Sequence, residues 1–412
     1  MENPSIFQAL GKQRIEQLDG LRAICALVVL MTHLINGAYW FTHNIDFSPS
    51  LFFKSIASFG HIAVLIFFVL SGFVIGYTTP QKFTWKEAKN YVIRRLIRLY
   101  PIYLFALFLT FIFTESTYNL LDIVGHLFFL QGWLVPVINN NLALWSLHYE
   151  FIFYLLFLII WSLNIKIDIV IVVCIISGIF SAIFRFHPFE ILGYFTLWLS
   201  GLWLAQNIEN LKLISKRFIS YSFFSSCLLL GAFSSQNILK MAIDKYGTSS
   251  SVLPDILLTT LVTSIVAALI VERKLYWYNL SFFVVFLIEV FTVAYAWQQH
   301  TFDSLEGLQF GYQSVGFFIL LLPFTLLLRK IPINWFKKLT NIASFSYALY
   351  VIHHPLIIIV YRLLKLNDVH AMFLVWAINI VAAVLSLLLA WFLECYLHVK
   401  IAKKLKIQFQ LN

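Results

Sequence analysis

Residues 60–79 read GHIAVLIFFVLSGFVIGYTT, a run that contains no Asp, Glu, Lys or Arg. An α-helix of about 20 apolar residues crosses the hydrocarbon core of a bilayer, which is about 30 Å thick. The run is continuous and does not alternate between apolar and polar residues, as a strand of a membrane barrel would. This stretch therefore predicts a transmembrane helix.

The composition of the whole chain agrees with that prediction. Of its 412 residues, 61% are hydrophobic and 12% are charged, and the mean hydropathy is +0.85. Soluble domains are about 45–50% apolar and about 25% charged. The four cysteines lie in separate apolar runs, a spacing that fits neither a disulfide framework nor a metal site. We expect an integral membrane protein with no bound metal.

Apolar runs of about 17–25 residues predict an all-α, polytopic transmembrane helical bundle of about 10–12 spans. The count is a range because the runs 191–206 and 218–233 are short. Residues 120–137 are apolar but interrupted by polar residues, so we interpret them as interfacial or re-entrant. The predicted spans are 23–40, 60–79, 96–114, 144–163, 167–184, 191–206, 218–233, 253–271, 275–296, 312–328, 343–361 and 371–395.

The placement of basic residues predicts the orientation. If the N-terminus is cytoplasmic and the spans alternate, cytoplasmic segments hold 23 of the 29 Lys and Arg residues. Such residues are enriched in cytoplasmic loops, so we place both termini in the cytoplasm. Topology then explains the net charge of +10, and we expect no nucleic-acid partner. The predicted organisation is a cytoplasmic segment (1–15), one membrane domain (16–398) and a basic cytoplasmic tail (399–412).

Ionisable groups at membrane depth are costly, and they mark functional sites. In the first predicted helix, Asp19 and Arg22 lie at the cytoplasmic mouth and His33 lies inside. Arg22 and His33 are separated by roughly 16 Å along the axis and by only about 20° around it. A neutral imidazole accepts protons near neutral pH, which makes His33 a candidate general base. The alternative is a histidine that only binds a neighbouring helix.

A basic cluster precedes the third predicted span. Arg94 and Arg98 are four residues apart and share a helix face. Two guanidinium groups on one face could bind a phosphate. The alternative is a set of charges that only fixes the topology.

Two further segments carry polar residues into predicted spans. Ser146 and Glu150 are four residues apart, and Glu150 falls about one turn into the bilayer, where an unpaired carboxylate is expensive. A variant of the helix-capping box is the alternative. Near the end of the chain, Tyr347, Tyr350 and His353 follow a spacing of three and share a face.

Five other ionisable residues give weaker signals. We interpret His354 and His61 as interfacial residues and His126 as a minor candidate. We interpret Glu394 as a residue that extends to the inner interface, and Glu289 as part of an interhelical pair.

Five sequence elements occur in the order that is typical of one family. In these five elements the chain resembles the acyltransferase 3 family, which consists of membrane-bound O-acyltransferases that modify cell-surface glycans. Relatives often carry a glycine and then a polar or acidic residue before the second element, where this chain has Ala63 and Leu65. The elements are Leu18 to Arg22 with His33; Phe67 to Phe73; Arg94, Arg95 and Arg98 with Pro101; Trp145, Ser146 and Leu147 with Glu150; and Ser346, Tyr347, Leu349, Tyr350, His353 and Pro355.

The resemblance implies transfer of an acyl group, usually acetyl, from cytoplasmic acetyl-CoA or another acyl-CoA. The acceptor would be a hydroxyl of a cell-surface polysaccharide or of its lipid-linked precursor, at the inner (cytoplasmic) membrane. His33 would be the base and Glu150 a second catalytic residue. Arg94, Arg98 and Arg22 would contact the phosphates of CoA. The residues implied to line the site are Asp19, Ser146, Tyr347 and His353.

Two other classes of function remain open at this stage. A transporter or flippase of a lipid-linked sugar also needs polar residues at the midplane. A non-catalytic partner in a polysaccharide assembly complex is the other possibility. Since no hydrolase-like extracytoplasmic domain is recognisable, we expect acceptor handling by the membrane domain or by a separate extracytoplasmic partner. Membrane lipid is the remaining expected partner.

Overall fold

The computed structural model describes residues 15–42, 59–80, 82–113, 118–184, 189–215, 222, 226, 252–271, 274–276, 330–332, 338–364 and 372–409. Almost all of these residues are helical. The α-helices are α1 (Glu16–Thr42), α2 (Gly60–Thr78), α3 (Trp85–Phe113), α4 (Leu120–Leu127), α5 (Trp145–Ser162), α6 (Ile167–Phe184), α7 (Glu190–Gln206), α8 (Ile208–Lys212), α9 (Val252–Val271), α10 (Thr340–Ala343), α11 (Ser346–Leu363), α12 (Met372–Trp391) and α13 (Val399–Gln408).

Three shorter elements complete the described chain. A 3₁₀ helix, Asn139–Leu144, precedes α5, and a π-helical segment, Phe392–His398, joins α12 to α13. Strands β1 (Lys274–Tyr276) and β2 (Lys330–Pro332) pair antiparallel, with Leu275 opposite Ile331. The predicted span 275–296 therefore begins in a strand, because its first two residues bond to β2.

The structure confirms the polytopic all-α architecture. Within the described ranges, eight helices are long and apolar enough to cross a membrane. The short run predicted at 191–206 forms α7, a helix of 17 residues. As predicted, 120–137 is not a span, since α4 has only eight residues and turns follow it. The predicted span 312–328 and most of the spans 218–233 and 275–296 lie outside the described residues.

The chain divides into two compact units. The first comprises Met1–Val28, Pro49–Thr78 and Ile167–Thr340. The second comprises Val29–Ser48, Thr79–Lys166 and Asn341–Asn412. In the first unit, α2 packs against α7 and α9. A Cβ at Gly72 would overlap the carbonyl oxygen of Trp198, and one at Gly201 would overlap that of Val69. Small residues let membrane helices approach this closely without any hydrophobic driving force.

In the second unit, α11 packs against α3, α12 and the 3₁₀ helix. Two of these helices contain a proline, Pro101 in α3 and Pro355 in α11. Because proline lacks an N–H, the carbonyl four residues earlier loses its helical partner. Lipid offers no replacement, so another protein group must supply one.

A distant side chain binds each of these carbonyl groups. Asn141 Nδ2 donates to Val351 O at 3.0 Å and to the hydroxyl of Thr110 at 3.2 Å. His398 Nε2 lies 2.9 Å from Ile97 O and, since a carbonyl only accepts, carries a proton there. The prolines therefore create the acceptors that fix the 3₁₀ helix against α11 and the π-helical segment against α3.

The first prediction tests this coupling. Asn141→Ala should lower the free energy of unfolding by about 1–3 kcal/mol, because buried acceptors lose their donor. In a Pro355→Ala background the loss should be smaller, since the new backbone N–H binds Val351 O. Denaturation of all four proteins in detergent measures the difference. Equal losses in the two backgrounds would show that the proline and the asparagine act independently.

Candidate functional site

Three histidines meet in the second unit. His33 comes from α1, and His353 and His354 come from α11. The ring centroid of His33 lies 4.9 Å from that of His353 and 4.9 Å from that of His354. His353 is 0% exposed and His354 is 4% exposed, while His33 is only partly buried. The helical periodicity of α11 places adjacent residues on different faces, and both faces border His33.

The hydrogen bonds of the cluster define which nitrogens carry protons. His353 Nδ1 lies 2.9 Å from Leu349 O, so it is the donor and its Nε2 is the acceptor in the neutral ring. His33 Nδ1 lies 3.1 Å from that Nε2 and 2.9 Å from Val29 O, and both contacts require a proton on His33 Nδ1. The lone pair of neutral His33 is therefore on Nε2.

His354 carries its proton on the same ring nitrogen. Its Nδ1 lies 3.1 Å from the carbonyl oxygen of Asn140 and donates to it. The lone pair of neutral His354 is therefore also on Nε2. Two adjacent imidazoles thus each present one proton acceptor.

His33 and His354 border a cavity of about 380 Å³. Small-molecule sites commonly have about 300–1,000 Å³, so one small group fits. The lining combines imidazoles and amides with aliphatic side chains. Its residues are His33, Gly37, Asn139, Asn140, Leu142, His354, Ile357 and Ile358.

The predicted residues of α5 lie beside the cluster. The hydroxyls of Ser146 and Tyr350 are 2.7 Å apart, and the ring centroids of Tyr350 and His353 are 6.2 Å apart. No side chain caps the start of α5, so the alternative of a capping box does not hold. Glu150 instead accepts a hydrogen bond from the hydroxyl of Tyr154.

A second polar centre joins α3, α11 and the π-helical segment. Arg98 forms an ion pair with Glu394, whose other oxygen accepts from the backbone N–H of Ala348 at 2.8 Å. Arg98 also lies over the ring of Tyr347, 5.3 Å from its centroid, and the hydroxyl of Tyr347 donates to Leu99 O. Glu394 is 3% exposed. Its interpretation as an interfacial residue was wrong, because the arginine and a backbone N–H stabilise its charge inside the protein.

The other arginines of the cluster have different surroundings. Arg95 lies over the rings of Tyr91 and Tyr154, 5.6 and 5.7 Å from their centroids. Arg94 and Arg95 each have a buried Nε for which the described part of the chain supplies no hydrogen-bond partner. The structure therefore places Arg98 in an ion pair and leaves the Nε of Arg94 and of Arg95 without a described acceptor.

Asp19 and Arg22 lie in the first unit and bind each other through Arg22 Nη1 and Asp19 Oδ1, 3.4 Å apart. Also in that unit, His61 Nε2 contacts both carboxylate oxygens of Asp255, at 2.9 and 2.8 Å. The sequence did not indicate this second pair.

His126, at the end of α4, is fully buried. Its Nδ1 donates to Asp122 O at 2.7 Å. Burial lowers the pKa of His126 below its usual value, and the hydrogen bond to Asp122 opposes that change. Its hydrogen bond therefore stays within α4.

The interpretation of His354 as an interfacial residue was wrong, because the structure buries it against His33. The sequence also did not indicate a role for Asn139, Asn140 and Asn141, which lie in a segment between predicted elements. A run of three asparagines just before a predicted span was the available signal.

Comparison with known proteins identifies the family. The family model Acyl_transf_3, described as an acyltransferase domain, matches residues 15–395. This chain belongs to the acyltransferase 3 family of membrane proteins. It is 29% identical over 167 residues to acyltransferase MdmB of Streptomyces mycarofaciens, a match that covers 38% of this chain and 41% of that protein. The matched region thus spans about two fifths of that relative's length. No solved structure shows significant similarity to the chain.

The second prediction concerns the ion pair. Arg98→Gln should destabilise the protein more than Glu394→Gln, because it leaves a buried carboxylate without its cation, whereas Arg98 is 38% exposed. The loss should stay below the about 3–5 kcal/mol of a fully buried pair. Unfolding in detergent measures it.

The matched control is Lys212→Gln, which breaks the exposed pair with Glu209. Its cost should be about 0–1 kcal/mol. A larger loss for Glu394→Gln than for Arg98→Gln would contradict the assignment.

Proposed function

We propose that this chain transfers an acyl group from acyl-CoA to a sugar hydroxyl. In this family the acyl group is usually acetyl. The acceptor is a cell-surface polysaccharide or its lipid-linked precursor, and the enzyme acts in the inner (cytoplasmic) membrane. One observation carries the proposal. In a chain of this family, His33 borders a cavity and has its lone pair fixed on Nε2 by the hydrogen bond of Nδ1 to His353.

His33 is the general base in this proposal. Its Nε2 removes the proton of the acceptor hydroxyl as the oxygen attacks the thioester carbonyl. The new C–O bond forms, the C–S bond breaks, and the proton passes from His33 to the departing thiolate. His353 positions His33, because Leu349 O fixes its tautomer and its Nε2 then holds His33 Nδ1–H.

The cavity would receive the acceptor. With the N-terminus cytoplasmic, Gly37 lies one turn beyond His33 toward the extracytoplasmic side, where a surface glycan is found. Asn139 and Asn140 border the same cavity, and amides are suited to sugar hydroxyls. His354 Nε2 offers a second acceptor, which would orient a neighbouring hydroxyl.

The donor would bind at the arginines of α3. Arg94 is the stronger phosphate ligand in this proposal, because its Nε has no described partner. Arg98 would have to share its guanidinium between phosphate and Glu394. Arg22, paired with Asp19, remains a proposed donor contact. Glu150 would act through Tyr154, and Ser146 and Tyr347 would hold the helices that carry the histidines.

The third prediction tests the reaction. Inverted membrane vesicles that contain the native glycan receive radiolabelled acetyl-CoA, and label is followed into the glycan. His33→Gln should lower the rate by about 10²–10⁴, the usual contribution of a general base. The control His61→Gln removes a histidine of the first unit and should retain activity.

Equal rates for wild type and His33→Gln would overturn the role of the base. Absence of label with the wild type, together with movement of a lipid-linked sugar across the vesicle membrane, would support the flippase instead.

The fourth prediction tests the positioning of His33. His353→Leu leaves Val29 O as the remaining described acceptor for His33 Nδ1–H, so His33 loses its tie to α11. The variant should lower kcat at least about tenfold, with KM for the acceptor little changed. His353→Gln keeps an acceptor oxygen and should recover part of the rate. Comparable losses in both variants at wild-type thermal stability would show that the hydrogen bond does not matter.

A further inference from the structure

A second cavity of about 760 Å³ lies apart from the histidines, in the second unit. One wall is a stripe of α3 that includes Ile93, Ile97 and Leu104, and the opposite wall is Ile401, Leu405 and Phe409 at α13. The stripe from Ile93 to Leu104 is roughly 16 Å long. That is about half of the 30 Å hydrocarbon core, the depth of one leaflet.

Three lysines lie close to the lining of this groove, two beside Leu405 on α13 and one before the stripe of α3. Around the axis of α13, Lys404 and Lys406 each lie about 100° from the centre of the apolar face, on opposite sides of it. Lys89 lies one turn before Ile93 on the same face of α3. All three are exposed, and none forms an ion pair within the described part of the chain. The sequence from 399 to 412 contains no acidic residue.

Two contacts of the π-helical segment, just before α13, fix the position at which α13 begins. His398 is bound to Ile97 O, and Glu394 is bound to Arg98, so α13 begins against the middle of α3. The basic helix is thus anchored beside the groove. Its apolar face lines the groove, and Lys404 and Lys406 flank that face.

We propose that this groove is a binding site for an anionic phospholipid. One acyl chain occupies the apolar groove, and the phosphate of the headgroup binds Lys89, Lys404 and Lys406. The depth of one leaflet fits a single acyl chain, and the cations beside the groove select negative charge. A protein partner is disfavoured, because an apolar surface at membrane depth gains little by exchanging lipid for another helix.

The full-length protein is reconstituted in lipid nanodiscs, and fluorescent phosphatidylglycerol and phosphatidylcholine of equal chain length are titrated as probes. Phosphatidylglycerol should bind at least about 10-fold more tightly. Since each lysine near the surface contributes about fivefold, Lys404→Gln combined with Lys406→Gln should reduce phosphatidylglycerol binding by about 25-fold.

Lys400→Gln combined with Lys403→Gln is the matched control. It removes the same charge from the face of α13 that points away from the groove, about 140–160° from its centre. This pair should change binding by less than about threefold, given the screening of distant charges. Leu104→Trp, at a partly exposed position of the stripe, should fill the groove and weaken both lipids.

Equal affinity for the two lipids would overturn the proposal. So would equal losses from the two lysine pairs, which would indicate only general attraction to negative charge. Unchanged binding in Leu104→Trp would show that the chain does not occupy the groove. None of these measurements depends on acyl transfer.

Discussion

Every backbone group that loses its helical partner inside the bilayer must find another within the protein, and the second unit is organised by this constraint. Pro355 removes the N–H that Val351 O would bind, and Asn141 supplies the replacement. Pro101 does the same to Ile97 O, which His398 binds. A proline that would only kink a soluble helix here determines which distant segment packs against it.

The histidine cluster depends on the first of these contacts. Asn141 fixes the 3₁₀ helix against α11, and the preceding residue, Asn140, holds His354 through its carbonyl oxygen. On the other side, Leu349 O fixes the tautomer of His353 and thereby that of His33. Backbone carbonyls of the surrounding helices, including the 3₁₀ helix, thus set which nitrogen carries the proton in all three rings.

Charge is handled in two ways in the same unit. Glu394 is buried and compensated by Arg98 and a backbone N–H, so it joins three helices. Lys404 and Lys406 of α13 remain exposed and form no ion pair in the described chain, so their charges are available to an anion outside the protein. The difference follows from position, because Glu394 is buried, whereas Lys404 and Lys406 lie about three helical turns further along the chain and are exposed.

The sequence alone determined the helical membrane architecture, because apolar runs of sufficient length have no stable alternative in lipid. It also singled out His33, His353 and Arg98, since polar groups within such runs are conspicuous. Only the tertiary structure decided their partners. Helical periodicity relates residues on one helix, but it does not say which helix lies opposite, so the contacts of His33 with His353 and His354 and of Arg98 with Glu394 were hidden. The role of Asn141 was hidden for the same reason, because its partner is a backbone carbonyl 210 residues away.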